Sequence, residues 1–262
     1  MRFGCCASTS EQIDILAQAG FDYCELQAAA VQPFEDDAAA LPALRALESA
    51  RLRPEAFNVL VPPQLPLSGP HADHAALRAY LRRTFGRMVR LGGQVVVLGS
   101  GGARRIPDSV TREQGLAQLA VSLAIAADEA ANAGIILALE HLNRKETNVF
   151  NSVAESQEFI TQIHAHLAQH GMKLLADLFH LEVEHEPLQH VAVAGPLLAH
   201  VHVAGGERRA PDVAGYDYSG FMRVLHAVGY DQRISAECSW EDLGQQAAGA
   251  LDFMRRSWSA PG

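Results

Sequence analysis

The 262 residues carry 21 Lys and Arg against 30 Asp and Glu, a formal charge of −9, and 48% of them are hydrophobic. That balance excludes a disordered chain and, with no basic run long enough to track a phosphate backbone, argues against nucleic acid as a partner. No window approaches the roughly 18 uninterrupted apolar residues of a membrane span, "MRFGCCASTSEQ" lacks a signal-peptide core, and Cys5, Cys6, Cys24 and Cys238 show neither CxxC spacing nor scaffold density, so a cytoplasmic protein with reduced thiols and no membrane partner is expected.

Along the chain, short β-rich runs alternate with longer amphipathic stretches. The predicted strands are "RFGCC" (2–6), "DYCELQ" (22–27), "EAFNVL" (55–60), "QVVVLGS" (94–100), "IILALEH" (135–141), "KLLADL" (173–178), "AHVHVA" (199–204) and "ISAECS" (234–239). Ser8 with Glu11, Thr111 with Gln114 and Ser152 with Glu155 fit capping boxes at helix starts. Glycines in "AQAGFDY", "ANAGI", "AQHGMK" and "HAVGYD" supply left-handed stops before the next strand. Pro-rich "VPPQLPLSGPHAD" (61–73) reads as a long loop after the third strand, either a candidate lid or a segment whose apolar residues pack on the barrel rim. "GSGGARRIPD" (99–108) has no GxGxxG or Walker spacing, which argues against nucleotide binding; Arg104 and Arg105 are either solvated loop residues or contacts for a substrate phosphate. Eight βα units predict an α/β fold, a (β/α)8 TIM barrel with the whole chain, 1–262, as one domain. A doubly wound sheet shares the same alternation, since strand order is invisible in one sequence.

The stretch "LALEHLNRKET" (137–147) ends an apolar run on Glu140, a charge that needs a partner once buried. In a parallel barrel the C-terminal strand ends form the active site. There the fifth strand ends at Glu140 and the sixth at Asp177, the seventh carries His200 and His202, and the eighth ends at Glu237. One such acid alone reads as an N-cap or rim salt bridge; three with a histidine on successive strands repel unless a cation sits among them. Oxygen donors with one imidazole suit Mn²⁺, Mg²⁺ or Co²⁺ better than structural zinc. His200 and His202 alternate, so both face one side, with His200 expected lower in the barrel. Glu25, ending the second strand, is a weaker substrate-site candidate, and Trp240 either stacks on a sugar face or fills the rim.

The segments "GFDYCEL", "FNVLVPPQLPLSGP", "LEHLNRKET", "DLFH", "HVHVAGGERRAPD" and "SAEC" resemble the xylose isomerase-like TIM-barrel superfamily, in particular its ketose 3-epimerase and hydroxypyruvate isomerase branches. The resemblance implies one divalent metal, Mn²⁺ foremost, held by Glu140, Asp177, His202 and Glu237. It also implies Glu140 and Glu237 as the acid/base pair, and Glu146, His180 and Arg208 as substrate contacts. Two departures fall near the expected pocket: His141 stands where the epimerases carry proline, and the first strand ends in Cys5 and Cys6 rather than aromatic residues.

The expected chemistry is proton abstraction next to a carbonyl through an enediolate, with epimerisation or aldose–ketose isomerisation set by where the proton returns. The substrate class is a small sugar or hydroxy-carbonyl compound, and homodimers or homotetramers accompany such barrels in the family resembled. Alternatives are a metal-dependent dehydratase of the inosose or dehydroshikimate type and a non-catalytic sugar-binding barrel. The second has no need of paired bases. Apurinic endonuclease, a third relative, needs three zincs and more ligands than this sequence supplies.

Overall fold

Residues 1–211 and 216–259 are described by the computed structural model; residue 212, the last of "HVHVAGGERRAPD", lies outside them. The strands are β1 (Arg2–Ala7), β2 (Tyr23–Gln27), β3 (Pro54–Asn58), β4 (Val95–Leu98), β5 (Ile136–Glu140), β6 (Lys173–Asp177), β7 (Leu198–Val203) and β8 (Arg233–Ala236). They pair in sequence order, all parallel, and β8 returns to β1 to close the barrel. Closure removes both sheet edges and rules out the doubly wound alternative.

Helices cover the outside, as parallel strands buried on both faces require. The glycines expected to stop them do so: Gly20, Gly134, Gly171 and Gly229 all have positive φ, where a side chain would be strained. Thr111 and Gln114 form a complete capping box, and Ser152 accepts from Glu155 N. The first helix differs by one residue. Its cap is Thr9, accepting from Gln12 N at 3.2 Å, while the Gln12 side chain accepts from Ser8 N–H at 2.7 Å; in "STSEQ" Thr9 stands between two other hydroxyls, and the reciprocal pair forms with Gln12 instead of Glu11. The third strand stops at Asn58 instead of Leu60 because Val59 takes a left-handed φ of 48°.

Inside the barrel, side chains stack in layers. Tyr23, Ala56, Val95, Val97, Ala138 and Leu175 fill the lower part. A Cβ on Gly4 would lie 2.2 Å from the Tyr23 ring, so the glycine makes room for the phenol, whose hydroxyl meets Ser235 Oγ at 2.8 Å. The apolar plug sets the floor on which the polar layer stands. Among the described residues no helix is long and apolar enough to cross a membrane.

Candidate metal centre

Period-two alternation carries the polar layer to the mouth of the barrel. Glu140 and Asp177 are the last residues of β5 and β6, His202 is one short of the end of β7, and Glu237 follows β8, its N–H still held by Val203 O at 3.0 Å. One ligand atom from each of these four lies within 4.8 Å of every other. His202 Nδ1 is 3.4 Å from Glu140 Oε1 and 3.2 Å from Glu237 Oε2. Three buried atoms of the cluster, Glu140 Oε1, Asp177 Oδ2 and His202 Nδ1, make no hydrogen bond. Buried polar atoms are ordinarily satisfied, so three converging orphans, with the carboxylate of Glu237 as a fourth donor, fit a divalent cation.

Each donor is held from behind. Asp177 Oδ1 caps the next helix through Phe179 N at 2.9 Å, leaving Oδ2 to face the centre. His202 Nε2 meets Glu25 Oε1 at 2.9 Å, and the other oxygen of Glu25 takes His200 Nε2 at 2.7 Å. The imidazole of His202 is thereby turned to present Nδ1, a carboxylate–histidine arrangement that fixes ring and tautomer. Asn58 donates to Glu237 Oε1 at 3.4 Å.

Around this centre stand the three other residues singled out in the sequence. His180 is buried; its Nδ1 accepts from Asn143 N at 3.3 Å and lies 3.0 Å from Asn143 Nδ2, which directs Nε2 toward Asp177 Oδ2, 3.5 Å away. Arg208 reaches Glu237 Oε2 at 2.5 Å, lies 3.9 Å from Asp177 and 3.7 Å from Glu146, and rests over the Phe179 ring. Glu146 is exposed and accepts from Asn143 Nδ2 at 2.9 Å. All seven residues therefore belong to one constellation.

Its electrostatics record a shortage of positive charge. Burial, with Glu237 nearby, pushes Asp177 up to about 7, and burial raises Glu140 against the pull of His202. Glu237 resists burial because His202 and Arg208 face it, and falls to about 2. Burial opposes the charging of His202, but Glu25 and then Glu237 hold it well above the usual histidine range. A divalent cation at this point would supply the charge that lets all three carboxylates ionise.

Several readings need correction. Glu25 is fully buried against His200 and His202, and does not face the mouth. Arg104 is neither solvated nor free for phosphate: fully buried in the short helix Gly101–Arg104, it donates to Glu140 O at 2.6 Å, Leu98 O at 3.2 Å and Phe150 O at 3.4 Å. Arg105 is exposed but donates to Glu146 O at 3.0 Å. The 61–73 loop takes the rim-packing alternative rather than the lid: buried Leu65 and Leu67, Leu67 N–H to Ala103 O at 2.8 Å and Val61 N–H to Ser100 Oγ at 2.9 Å pin it to the segment that follows β4. Trp240 needs no correction, since it takes the rim-filling alternative: it is half-buried and packs on the core. The sequence reading gave no role to Asn58 or Asn143. The signals were available, since Asn58 ends its strand on the same inward parity as Glu25 on β2, and Asn143 stands three residues after Glu140.

A family model described as a xylose isomerase-like TIM barrel matches residues 13–257. An L-ribulose 3-epimerase of Methylomonas sp. is 28% identical over 248 residues, 92% of this chain and 82% of that protein. A D-psicose 3-epimerase of Agrobacterium fabrum is 30% identical over 112 residues, which span 42% of this chain and only 37% of that enzyme. The crystal structure of a D-psicose 3-epimerase in the presence of D-fructose superposes with a TM-score of 0.83 at 22% identity, covering 99% of this chain and 100% of the other. That likeness establishes the shared fold.

Proposed function

This chain belongs to the xylose isomerase-like TIM barrel family, and on that premise we propose that it is a metal-dependent sugar epimerase of the ketose 3-epimerase type. The carrying observation is the convergence of Glu140, Asp177, His202 and Glu237 within 4.8 Å at the mouth of the barrel. These four residues would hold the metal, with Mn²⁺ favoured and Mg²⁺ or Co²⁺ also suited to the oxygen-rich donor set. When bound, the cation supplies the positive charge that makes a proton beside a carbonyl acidic.

The chain's own residues do the rest. Glu140 and Glu237 enter from β5 and from the end of β8 and approach a bound ketose from different sides. One carboxylate takes the proton from C3, leaving an enediolate, and the other returns a proton to the opposite face of the same carbon, which inverts it. His180 offers Nε2–H to a substrate oxygen, and the guanidinium of Arg208 with the carboxylate of Glu146 orients hydroxyl groups. Support for the substrate class comes from the relatives, named as psicose and ribulose epimerases.

The test is proton NMR in D₂O of the Mn²⁺-loaded protein with fructose, tagatose, psicose and ribulose. Deuterium at C3 with appearance of the 3-epimer is the expected result, and Glu237→Gln is expected to lower turnover about 10²–10⁴-fold with its circular dichroism spectrum unchanged. A dehydrated product would instead assign a lyase, and an active Glu237→Gln would remove that residue from the acid/base pair.

A further inference from the structure

His141 follows Glu140 and is completely buried, yet it is not one of the four converging donors. Its Nε2 accepts a hydrogen bond from the backbone N–H of Asp177 at 3.2 Å. An accepting Nε2 puts the ring proton on Nδ1, and that nitrogen faces Glu186 Oε2 at 3.8 Å.

The geometry matters because Asp177 sits at a junction. It is the last residue of β6 and the N-cap of the helix Leu178–Val183, with Oδ1 committed to Phe179 N and Oδ2 aimed at the centre. β5 ends at Glu140, so on that side the side chain of the next residue acts as the acceptor for the N–H of Asp177. Fixing that peptide fixes the direction in which the carboxylate leaves the strand. We propose that His141 is a positioning residue for the metal centre, setting the direction of Asp177 Oδ2 through the main chain. The inference rests on the metal site proposed above. It concerns how one ligand is aimed, and gives a residue in contact with neither metal nor substrate a measurable part in metal affinity.

The experiment is Mn²⁺ titration of the full-length apoprotein by calorimetry and by the electron paramagnetic resonance of free Mn²⁺, comparing wild type with His141→Gln, His141→Met and Asp177→Asn. Gln and Met have similar length and both fill the buried volume, but only Gln carries an oxygen able to accept the Asp177 N–H. His141→Met is expected to weaken binding about 10–100-fold, with His141→Gln within about threefold of wild type. Equal affinities for the Gln and Met variants, whether tight or weak, would overturn the assignment and leave His141 as core packing. If Asp177→Asn binds as tightly as wild type, the metal site itself falls, and the role of His141 with it. Melting temperatures of all variants, measured without metal, separate lost affinity from lost fold.

Discussion

Gly99 shows how tightly single residues constrain the site. A Cβ at this position would lie 2.2 Å from Glu140 Oε2, closer than any non-bonded contact allows, so the glycine is the space that the carboxylate occupies. Gly99→Ala is expected to cost about 100-fold or more in turnover, read from initial rates on the Mn²⁺-loaded protein, because displacement of a reacting group by an ångström is enough. A variant of near-normal rate would mean that Glu140 has another productive rotamer. At this scale the sequence was readable where a residue's job is local. Strand-end position singled out Glu140, Asp177, His202 and Glu237, and the structure brings those four together. It was unreadable where the job depends on a partner far along the chain. Glu25 and His202 are separated by most of the barrel in sequence and by 2.9 Å in space, and nothing in "DYCELQ" announces that pairing. Arg104 was hidden for a related reason: its partners are main-chain carbonyls, which leave no trace in side-chain composition.

Elements are joined outside the barrel by a different set of charges. The helices His74–Leu91 and Arg112–Ala133 meet at buried Glu129, which takes Arg78 at 2.5 Å and Arg82 at 2.9 Å. Burial works against ionisation there, but the hydrogen bonds from Arg82 and Arg78 outweigh it and hold the carboxyl below its usual value. A carboxyl depressed in the folded state contributes stability that is fully present above its unfolded value of about 4.3 and disappears as pH falls through the folded value. Glu129→Gln is therefore expected to lower stability by about 1 kcal/mol at pH 7, a modest figure because both guanidinium groups remain partly in water. The difference from wild type should close as pH drops below about 4, measured by urea denaturation at a series of pH values. A constant difference would assign the effect to packing. Helix limits were legible where they rest on short-range chemistry, as with the glycine stops and the Thr111 box. They slipped by one residue at Thr9, where adjacent hydroxyls compete for the same N–H.

For the whole molecule, the candidate centre draws its donors from β5, β6, β7 and the end of β8, so a bound cation ties the second half of the barrel together. Ligand that binds only the folded state stabilises it by about 2.7 kcal/mol at 100 times Kd. For a chain of this size the expected rise in Tm with Mn²⁺ is about 5–10 °C, abolished by EDTA and absent in Asp177→Asn; a rise that survives Asp177→Asn would locate the binding elsewhere. The eightfold alternation made the architecture legible, whereas closure was not, because pairing of the first strand with the last is a property of the finished sheet. That seam also has a kinetic meaning. Arg2 and Arg233 from its two strands share the carboxylate of Glu55 on β3, at 2.6 and 2.8 Å, so the fastening at the base of the barrel draws on the start, the first quarter and the end of the chain. Until β8 has been synthesised, β1 keeps an open edge, and the growing chain passes through an unclosed curved sheet able to pair with other copies of itself. Joining the ends across so long a loop is slow, and the last step of folding is the one that hides the most vulnerable surface.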